Sequence, residues 1–507
     1  MVGAMTENPL RLYDTLSRTV RPFEPLTPGQ VRMYSCGPTV YSRAHLGNMR
    51  AYVFADTVRR ALLWKGDDVR HIVNITDVGH LLADADLGDD KVELAARSEQ
   101  RSVWDLTEHY AKVFIDDSAR LGLLPPERWT KATDYIDRMI AFAERLEATG
   151  HAYPLAEGLY FDTSTVDRYG AMSTMAHDAD NAEGRIESVG GKRHPADFAL
   201  WRTFPADEPA HAMEWDSPWG RGAPGWHLEC SVMSIDALGD HFDIHTGGVD
   251  HREVHHPNED AQSRAYLDDG RPWVGWWMHV EFVQFEGGKM SKSKGNVLDL
   301  DDVTALGSEP LAYKLLLLAS HYRSQVTVGP ASVTASGSRY RRLVDTVARR
   351  LGSAASPDID LSRPLLTLEG ALDAAPGGSA AHEVIRRVDA AISDDLATPK
   401  VLALLDETLR SDLDAHGLIV VLEAVRSVTG IDLVAAAAAS ASATPDDDDL
   451  DPVERGAIDD LVARREAARR SRDYALADEL RDELLTRHAT TVTDTPDGPT
   501  WQRSSSV

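Results

Sequence analysis

The sequence predicts an α/β protein with a helical second half, and three observations carry that prediction. Strand-like and helix-like segments alternate near the start, segments past residue 311 carry helical spacing, and residues 156–214 are short-stranded and rich in Gly, Pro and Asp. Residues 31–35 read as a strand, Cys36-Gly37-Pro38 as a turn, and a loop then reaches His45-Leu46-Gly47-Asn48. Apolar Ala55, Val58, Leu62 and Leu63 recur at three- and four-residue spacing, which predicts a helix stopped at Gly66 and its two aspartates. Residues 69–75 form the next strand. Strand, loop, helix and strand make a βαβ unit, whose parallel strands hold ligands at their carboxyl ends. The loop before the helix is therefore a candidate nucleotide site.

The 507 residues suffice for about three domains. Residues 103–150 have helical spacing, 156–214 have the character of an insertion, and 225–296 form a compact segment dense in His, Trp and Gly. Residues 435–451 are Ala/Ser-rich and then acidic, a composition suited to a linker. The terminal unit contains Arg464, Arg465, Arg469, Arg470 and Arg472, the densest basic stretch of the chain. Over the whole chain acid dominates: 53 Lys and Arg against 81 Asp and Glu give a formal charge of −28. This argues against a general electrostatic grip on nucleic acid, and any polyanion must meet a local basic face. The only cysteines are Cys36 and Cys230, too few for a disulfide framework and consistent with a reducing, cytoplasmic setting. No apolar run approaches the roughly 18 residues of a membrane span.

A loop feeding a helix start offers backbone N–H groups and the positive end of the helix dipole to phosphates. His45 and Asn48 sit at such a start, where their side chains can donate to ATP, and Gly47 permits close backbone approach. Taken alone, a His-x-Gly-Asn string serves equally well as a cap or turn. The second element is Lys289-Met290-Ser291-Lys292-Ser293, preceded by Gly287-Gly288 and followed by Lys294-Gly295-Asn296. Lysines on a glycine-bounded loop can neutralise a leaving pyrophosphate, although such a loop can also be simply solvated. Neither element is a Walker-type or GxGxxG loop, so kinase and dehydrogenase chemistry gain nothing from them.

Both cysteines belong to candidate metal positions. Cys36 lies beside the nucleotide loop, Cys230 in Gly225-Trp226-His227-Leu228-Glu229-Cys230, and His255 and Glu259 are one helical turn apart. Pro257 is tolerable between them only in a first turn, so a helix is expected to start near His255. Singly, each of these residues could be an ordinary buried side chain. Thiolate, imidazole and carboxylate together suit zinc, which prefers a thiolate ligand to an alcohol.

In order along the chain, residues 34–50, Trp215-Asp216-Ser217-Pro218-Trp219-Gly220, Gly225 to Ser231, Asp243-Ile244-His245-Thr246-Gly247-Gly248, residues 255–262 and 289–293 resemble the cysteinyl-tRNA synthetase family of class I aminoacyl-tRNA synthetases. The resemblance continues through His321-Tyr322-Arg323-Ser324 and Asp394-Asp395-Leu396-Ala397-Thr398-Pro399, then Asp473 to Asp478 and Asp494 to Gly498. It implies a class I Rossmann-type catalytic domain over 1–310 with an insertion at about 125–215. An α-helical bundle over 311–434, a linker over 435–451 and a small C-terminal anticodon-binding domain over 452–507 follow.

The resemblance also implies roles. Cys36, Cys230, His255 and Glu259 would hold one zinc ion per chain, which would take the thiol of L-cysteine as a further ligand. His45, Asn48, Lys289 and Lys292 would act on ATP, supplied with Mg²⁺, with Lys292 in direct contact. Thr76 and Trp226 match positions near the amino acid, and could equally be a turn and a packing residue. Gly247, Gly248 and Asp250 match the segment near adenosine and the amino group. The implied reaction is ATP-dependent attachment of cysteine to tRNA(Cys) through cysteinyl-adenylate, by a cytoplasmic monomer with no membrane partner. Two alternatives are a cysteine ligase acylating a small amine, of the mycothiol-pathway type, and a zinc- and nucleotide-binding regulatory paralogue without catalysis. At the tRNA end, the arginines named above with Tyr474 and Trp501 would contact the anticodon loop. The chain departs from the family's usual Asp-Leu-x-Phe-Pro-His-His-Glu-Asn-Glu, having Asp250-His251-Arg252-Glu253-Val254-His255-His256-Pro257-Asn258-Glu259 instead. Likewise Thr76-Asp77 is followed by Val78-Gly79-His80-Leu81 where Val-Asp-Asp-Lys is commoner. The ligand spacing survives these changes, while the surroundings of His255 differ.

Overall fold

The computed structural model describes residues 8–79, 91–174, 190–205, 207, 210–286, 298–352, 364–443, 451–488, 490–495 and 498–503. The chain divides into two compact units, Met1–Tyr340 with Leu365–Ile431, and Arg341–Pro364 with Asp432–Val507.

In the first unit a hairpin, β1 (Arg11–Asp14) and β2 (Thr19–Pro22), precedes β3 (Gln30–Ser35), α1 (Leu46–Trp64) and β4 (Asp68–Ile75). This is the βαβ unit expected from the apolar spacing, with boundaries displaced by one residue at each strand start. Next come α2 (Lys91–Glu99), α3 (Val103–Arg120), β5 (Arg128–Lys131) and α4 (Ile136–Ala148). The segment read as helical throughout thus contains a strand. Its four residues, Arg-Trp-Thr-Lys, carry no alternation long enough to register, and pairing with β4 makes it a strand.

Antiparallel strands β6 (Ala152–Leu155), β7 (Gly158–Phe161), β8 (Phe198–Thr203) and β9 (Gly222–Pro224) form a separate sheet. The chain then returns through α5 (Trp226–Leu238), β10 (Phe242–Gly248), α6 (His255–Leu267) and β11 (Val274–Val280). Strands β11, β10, β3, β4 and β5 lie side by side in that order, all parallel. One core joins both sheets: Tyr34, Ile72 and Phe242 of the parallel sheet share it with Phe161 and Trp201 of the antiparallel one.

A short parallel pair, β12 (Val283–Phe285) with β13 (Val326–Val328), flanks α7 (Leu300–Ala305) and α8 (Pro310–Leu318). Helices follow: α9 (Pro330–Leu351), α10 (Leu368–Ala374), α11 (Ala380–Ser393), α12 (Thr398–Thr408) and α13 (Ala415–Thr429). Asp395, in the turn before α12, accepts from the Tyr13 N–H at 2.9 Å, the Tyr322 hydroxyl at 2.7 Å and Arg323 Nε at 2.8 Å. Two segments that carry the family resemblance therefore meet at one carboxylate that ties the helices to the hairpin.

In the second unit, α14 (Leu433–Ala443) occupies much of the alanine-rich stretch, as the high helix propensity of alanine favours. Helices α15 (Pro452–Arg470) and α16 (Tyr474–His488) pack through Ile458, Leu461, Leu480 and Leu484 against the hairpin β14 (Thr490–Thr495) and β15 (Gly498–Arg503). Among the described residues, no helix is long and apolar enough to cross a membrane.

Candidate active site and metal centre

A cavity of about 530 Å³ opens at the carboxyl ends of the parallel strands. The sheet changes direction at β3, where β4 lies on one side and β10 on the other, and ligands of open parallel sheets bind at such a point. Cys36 and Thr39 after β3, Thr76 after β4, Gly248 and Asp250 at β10, and Phe282 after β11 all line the cavity.

His45 is the N-cap of α1, in extended conformation. Its Nδ1 accepts from the Asn48 backbone N–H at 3.1 Å, and Asn48 Oδ1 accepts from the His45 backbone N–H at 3.2 Å. This reciprocal capping box occupies one atom of each side chain. With Nδ1 an acceptor, the imidazole proton sits on Nε2, and the Asn48 amide keeps Nδ2 as its donor. The first turn of α1 contains no acidic residue, so the positive end of the helix is not neutralised from within. The two residues expected to meet ATP are thus the pair that caps α1. The Leu46 N–H donates to the Leu298 carbonyl at 2.8 Å, bringing the chain beyond the lysine motif to the start of α1. Lys289 and Lys292 themselves lie outside the described residues.

The sulfur atoms of Cys36 and Cys230, a ring nitrogen of His255 and a carboxylate oxygen of Glu259 lie within 4.8 Å of one another, and all four residues are buried. Three elements converge to do this. Cys36 follows β3, Cys230 sits in the first half of α5, and α6 begins at His255, with Pro257 in its first turn as the sequence requires. His255 Nε2 is 2.8 Å from Glu259 Oε1, and His255 Nδ1 is 2.9 Å from His227 Nδ1. Glu259 Oε2 is held by His245 Nε2 at 2.9 Å.

In a second set, Cys36, His245, His256 and Glu259, the ligand atoms also lie within 4.8 Å of one another. Within it His245 Nε2 meets Glu259 Oε2 and His256 Nε2 lies 3.3 Å from Cys36 Sγ, while His256 Nδ1 is 2.7 Å from His279 Nε2, whose Nδ1 is 2.8 Å from Thr15 Oγ1. Partners of this kind orient metal ligands from outside. His227, His245, His256 and His279 were not singled out in the sequence, and the histidine density of the segment containing them was the available signal.

Burial pushes the Cys36 thiol well above its ordinary range, with Cys230 adding to the rise. Cys230 goes down, drawn by its hydrogen bond with Cys36 and by His255 against the effect of burial. Burial also opposes charge on His255 and Glu259, yet their attraction prevails: His255 is pushed up to about 10 and the Glu259 carboxyl is held well below the carboxylate range. Two thiols, an imidazolium and a carboxylate crowded away from water form a cluster in which a divalent cation can take the place of protons. The donor set fits zinc.

Thr76 is buried, and its hydroxyl donates to Glu229 Oε2 at 3.2 Å. The Trp226 ring lies 4.1 Å from that of His255. Both line the cavity, whereas Gly247 lies beneath it, where a Cβ would come within 2.7 Å of His251 Nδ1 and 2.8 Å of His256 Cε1. Its lack of a side chain is a packing requirement.

Residues 22–336 match the family model described as the class I (C) tRNA synthetase catalytic domain. The cysteine–tRNA ligase of Zymomonas mobilis is 42% identical over 512 residues, covering 97% of this chain and 98% of the relative. The chain belongs to the cysteinyl-tRNA synthetase family. A second member, the cysteine–tRNA ligase of Novosphingobium aromaticivorans, is 43% identical and covers 97% of both chains. In fold, the chain resembles Mycobacterium tuberculosis methionyl-tRNA synthetase in complex with methionyl-adenylate, with TM-score 0.53 and 15% identity over 79% of this chain and 90% of that one. The architecture is that of a class I aminoacyl-tRNA synthetase, an enzyme fold.

Proposed function

We propose that the chain attaches L-cysteine to tRNA(Cys). The carboxylate of cysteine attacks the α-phosphate of Mg²⁺-bound ATP, giving cysteinyl-adenylate and pyrophosphate. A ribose hydroxyl at the 3′ end of the tRNA then attacks the activated carbonyl and releases AMP. The observation that carries this reading is one cavity with two chemically distinct ends: the donors of His45 and Asn48 at the start of α1, and the buried thiol-rich cluster of Cys36, Cys230, His255 and Glu259.

His45 and Asn48 bind phosphate oxygens, and Lys289 and Lys292 neutralise the departing pyrophosphate. Thr76 and Trp226 enclose the amino acid, while Gly248 and Asp250 flank the adenosine and amino group. Zinc, when bound by Cys36, Cys230, His255 and Glu259, supplies a Lewis acid that favours a thiolate over a hydroxyl, a distinction of cysteine from serine that packing alone could not make as well. The rest is positioning and charge stabilisation, without a dedicated general base.

By role, the chain divides into a catalytic domain over 1–310, interrupted at about 125–215, a bundle over 311–434, a linker over 435–451 and an anticodon-binding domain over 452–507. It works as a cytoplasmic monomer. The small-amine alternative is not favoured, because the match to cysteine–tRNA ligases runs through 97% of the chain.

The test is transfer of labelled cysteine to a tRNA(Cys) transcript with zinc-replete protein, beside cysteine-dependent ATP–pyrophosphate exchange. Charging supports the reading. Exchange without charging points to a small-amine acceptor, and absence of both points to a silent paralogue.

A further inference from the structure

Glu281 and Phe282 separate β11 from β12 at the cavity rim. The backbone here is pinned from both sides. The Glu281 N–H donates to the Tyr322 carbonyl at 2.9 Å, and the Phe282 carbonyl accepts from Arg50 Nη1 at 2.7 Å and from the Val326 N–H at 3.4 Å. Arg50 stands on α1 two residues beyond Asn48 and is buried, and its Nη2 donates to the carbonyls of His321 and Ser324. The polypeptide at Phe282 is thereby held in register with the helix that carries the ATP motif.

The ring itself is left out. Phe282 is 50% exposed, and among the large apolar side chains exposed in the described residues it is the one that lines the cavity. A phenyl ring on a fixed backbone, with a face open to a substrate cavity, is what a nucleobase stacks on. On the reaction proposed above, two adenines visit this cavity. The first belongs to ATP and, once the adenylate forms, is confined by the phosphates at α1 and the amino acid at the thiol cluster. The second, at the 3′ end of the tRNA, arrives from solvent when the interior is already filled, and its base must lie at the rim.

We propose that Phe282 is the stacking platform for the 3′-terminal base of the tRNA. This rests on the tRNA-charging reading, and the test separates the two. Three variants of the full chain are compared: F282L, which keeps apolar bulk and removes the π-face, and F282Y and F282W, which keep it. The KM for a tRNA(Cys) transcript in cysteine transfer and the KM for ATP in pyrophosphate exchange are measured for each. F282L is expected to raise the KM for tRNA by roughly fivefold or more and the KM for ATP by much less, with F282Y and F282W close to the parent. Equal losses in the two reactions would overturn the assignment, because the ring would then serve ATP or cavity packing. No loss in F282L, or the same loss in F282Y, would overturn it too. Failure of the parent chain to charge tRNA while exchange proceeds would instead strike the underlying reading.

Discussion

Glu259 Oε1 lies 2.8 Å from His255 Nε2, one helical turn away on α6. The other ends of both groups are already engaged, Glu259 Oε2 by His245 and His255 Nδ1 by His227. Each side chain is therefore oriented from behind, and the atoms left facing each other are the ones that share their surroundings with the sulfurs of Cys36 and Cys230. Orientation by outer partners is what raises a cluster of polar residues to a preorganised ligand set.

Cys230→Ser tests the set with little change in volume. Loss of an outer partner already costs about 10- to 100-fold in metal affinity or activity, so loss of a direct ligand should cost no less. Zinc per chain, measured by elemental analysis, and cysteine-dependent pyrophosphate exchange are expected to fall together. Normal exchange in a zinc-free variant would refute the metal role.

His45 caps α1 and is proposed to bind phosphate, and the two roles predict effects that can be separated. His45→Ala removes the N-cap of α1 and should lower stability by about 1 kcal/mol, seen as a reduced urea midpoint. It also removes the Nε2 donor, for which a loss of roughly 10²-fold in exchange rate is expected. His45→Asn supplies a good cap without the imidazole. It should restore the midpoint and leave most of the rate deficit, whereas recovery of both would reduce His45 to a cap.

Much of this was legible before folding. The spacing of Ala55, Val58 and Leu62 gave α1, and the position of Pro257 gave the start of α6, because each signal is local and the structure obeys it. The four candidate ligands could be picked out because residue type and the i, i+4 spacing of His255 and Glu259 carry chemistry. Their orienting partners could not. His245 lies on a strand and His227 on another helix, and only the packing of β10 beside β3 and of α5 against α6 brings them to Glu259 and His255. β5 was missed for a related reason, since its partner strand and not its own four residues makes it a strand.

In the terminal unit, proposed above to contact the anticodon loop, the candidate residues differ in exposure. Trp501 packs on the core formed by Ile458, Leu461 and Leu484, and its Nε1 donates to Asp459 Oδ1 at 2.7 Å, so Trp501→Ala is expected to loosen the terminal unit. Arg470, Arg472 and Tyr474 are exposed. Arg470→Ala with Arg472→Ala should raise the KM for tRNA(Cys) with little effect on exchange. It should also lower the slope of log KM against log salt by roughly 1.4, about 0.7 for each of the two contacts to a single-stranded loop. An unchanged salt slope would remove these arginines from the interface.

Beyond His45 and Asn48, α1 is anchored by a buried ionic group that predicts how stability varies with pH. Asp56 Oδ2 is 2.7 Å from Arg60 Nε and 2.9 Å from Lys314 Nζ. Burial alone would raise the Asp56 carboxyl, but the two cations more than offset it and hold it at about 2, below its ordinary 3.8. Its contribution to stability is therefore complete above about pH 4 and is lost as the pH falls through 2. For Lys314 burial dominates and lowers the ammonium from 10.5 to about 8, with Asp56 opposing. The unfolded chain binds that proton more tightly, so stability rises from pH 8 to 10.5, and this gain is absent below 8. Asp56→Asn strands two buried cations and should cost about 3–5 kcal/mol at neutral pH, read from urea midpoints. The gap between parent and variant should shrink between pH 4 and 2. Lys314→Met should abolish the alkaline rise. A gap that stays constant from pH 5 to 2 would mean that the Asp56 carboxylate is not what secures the helix.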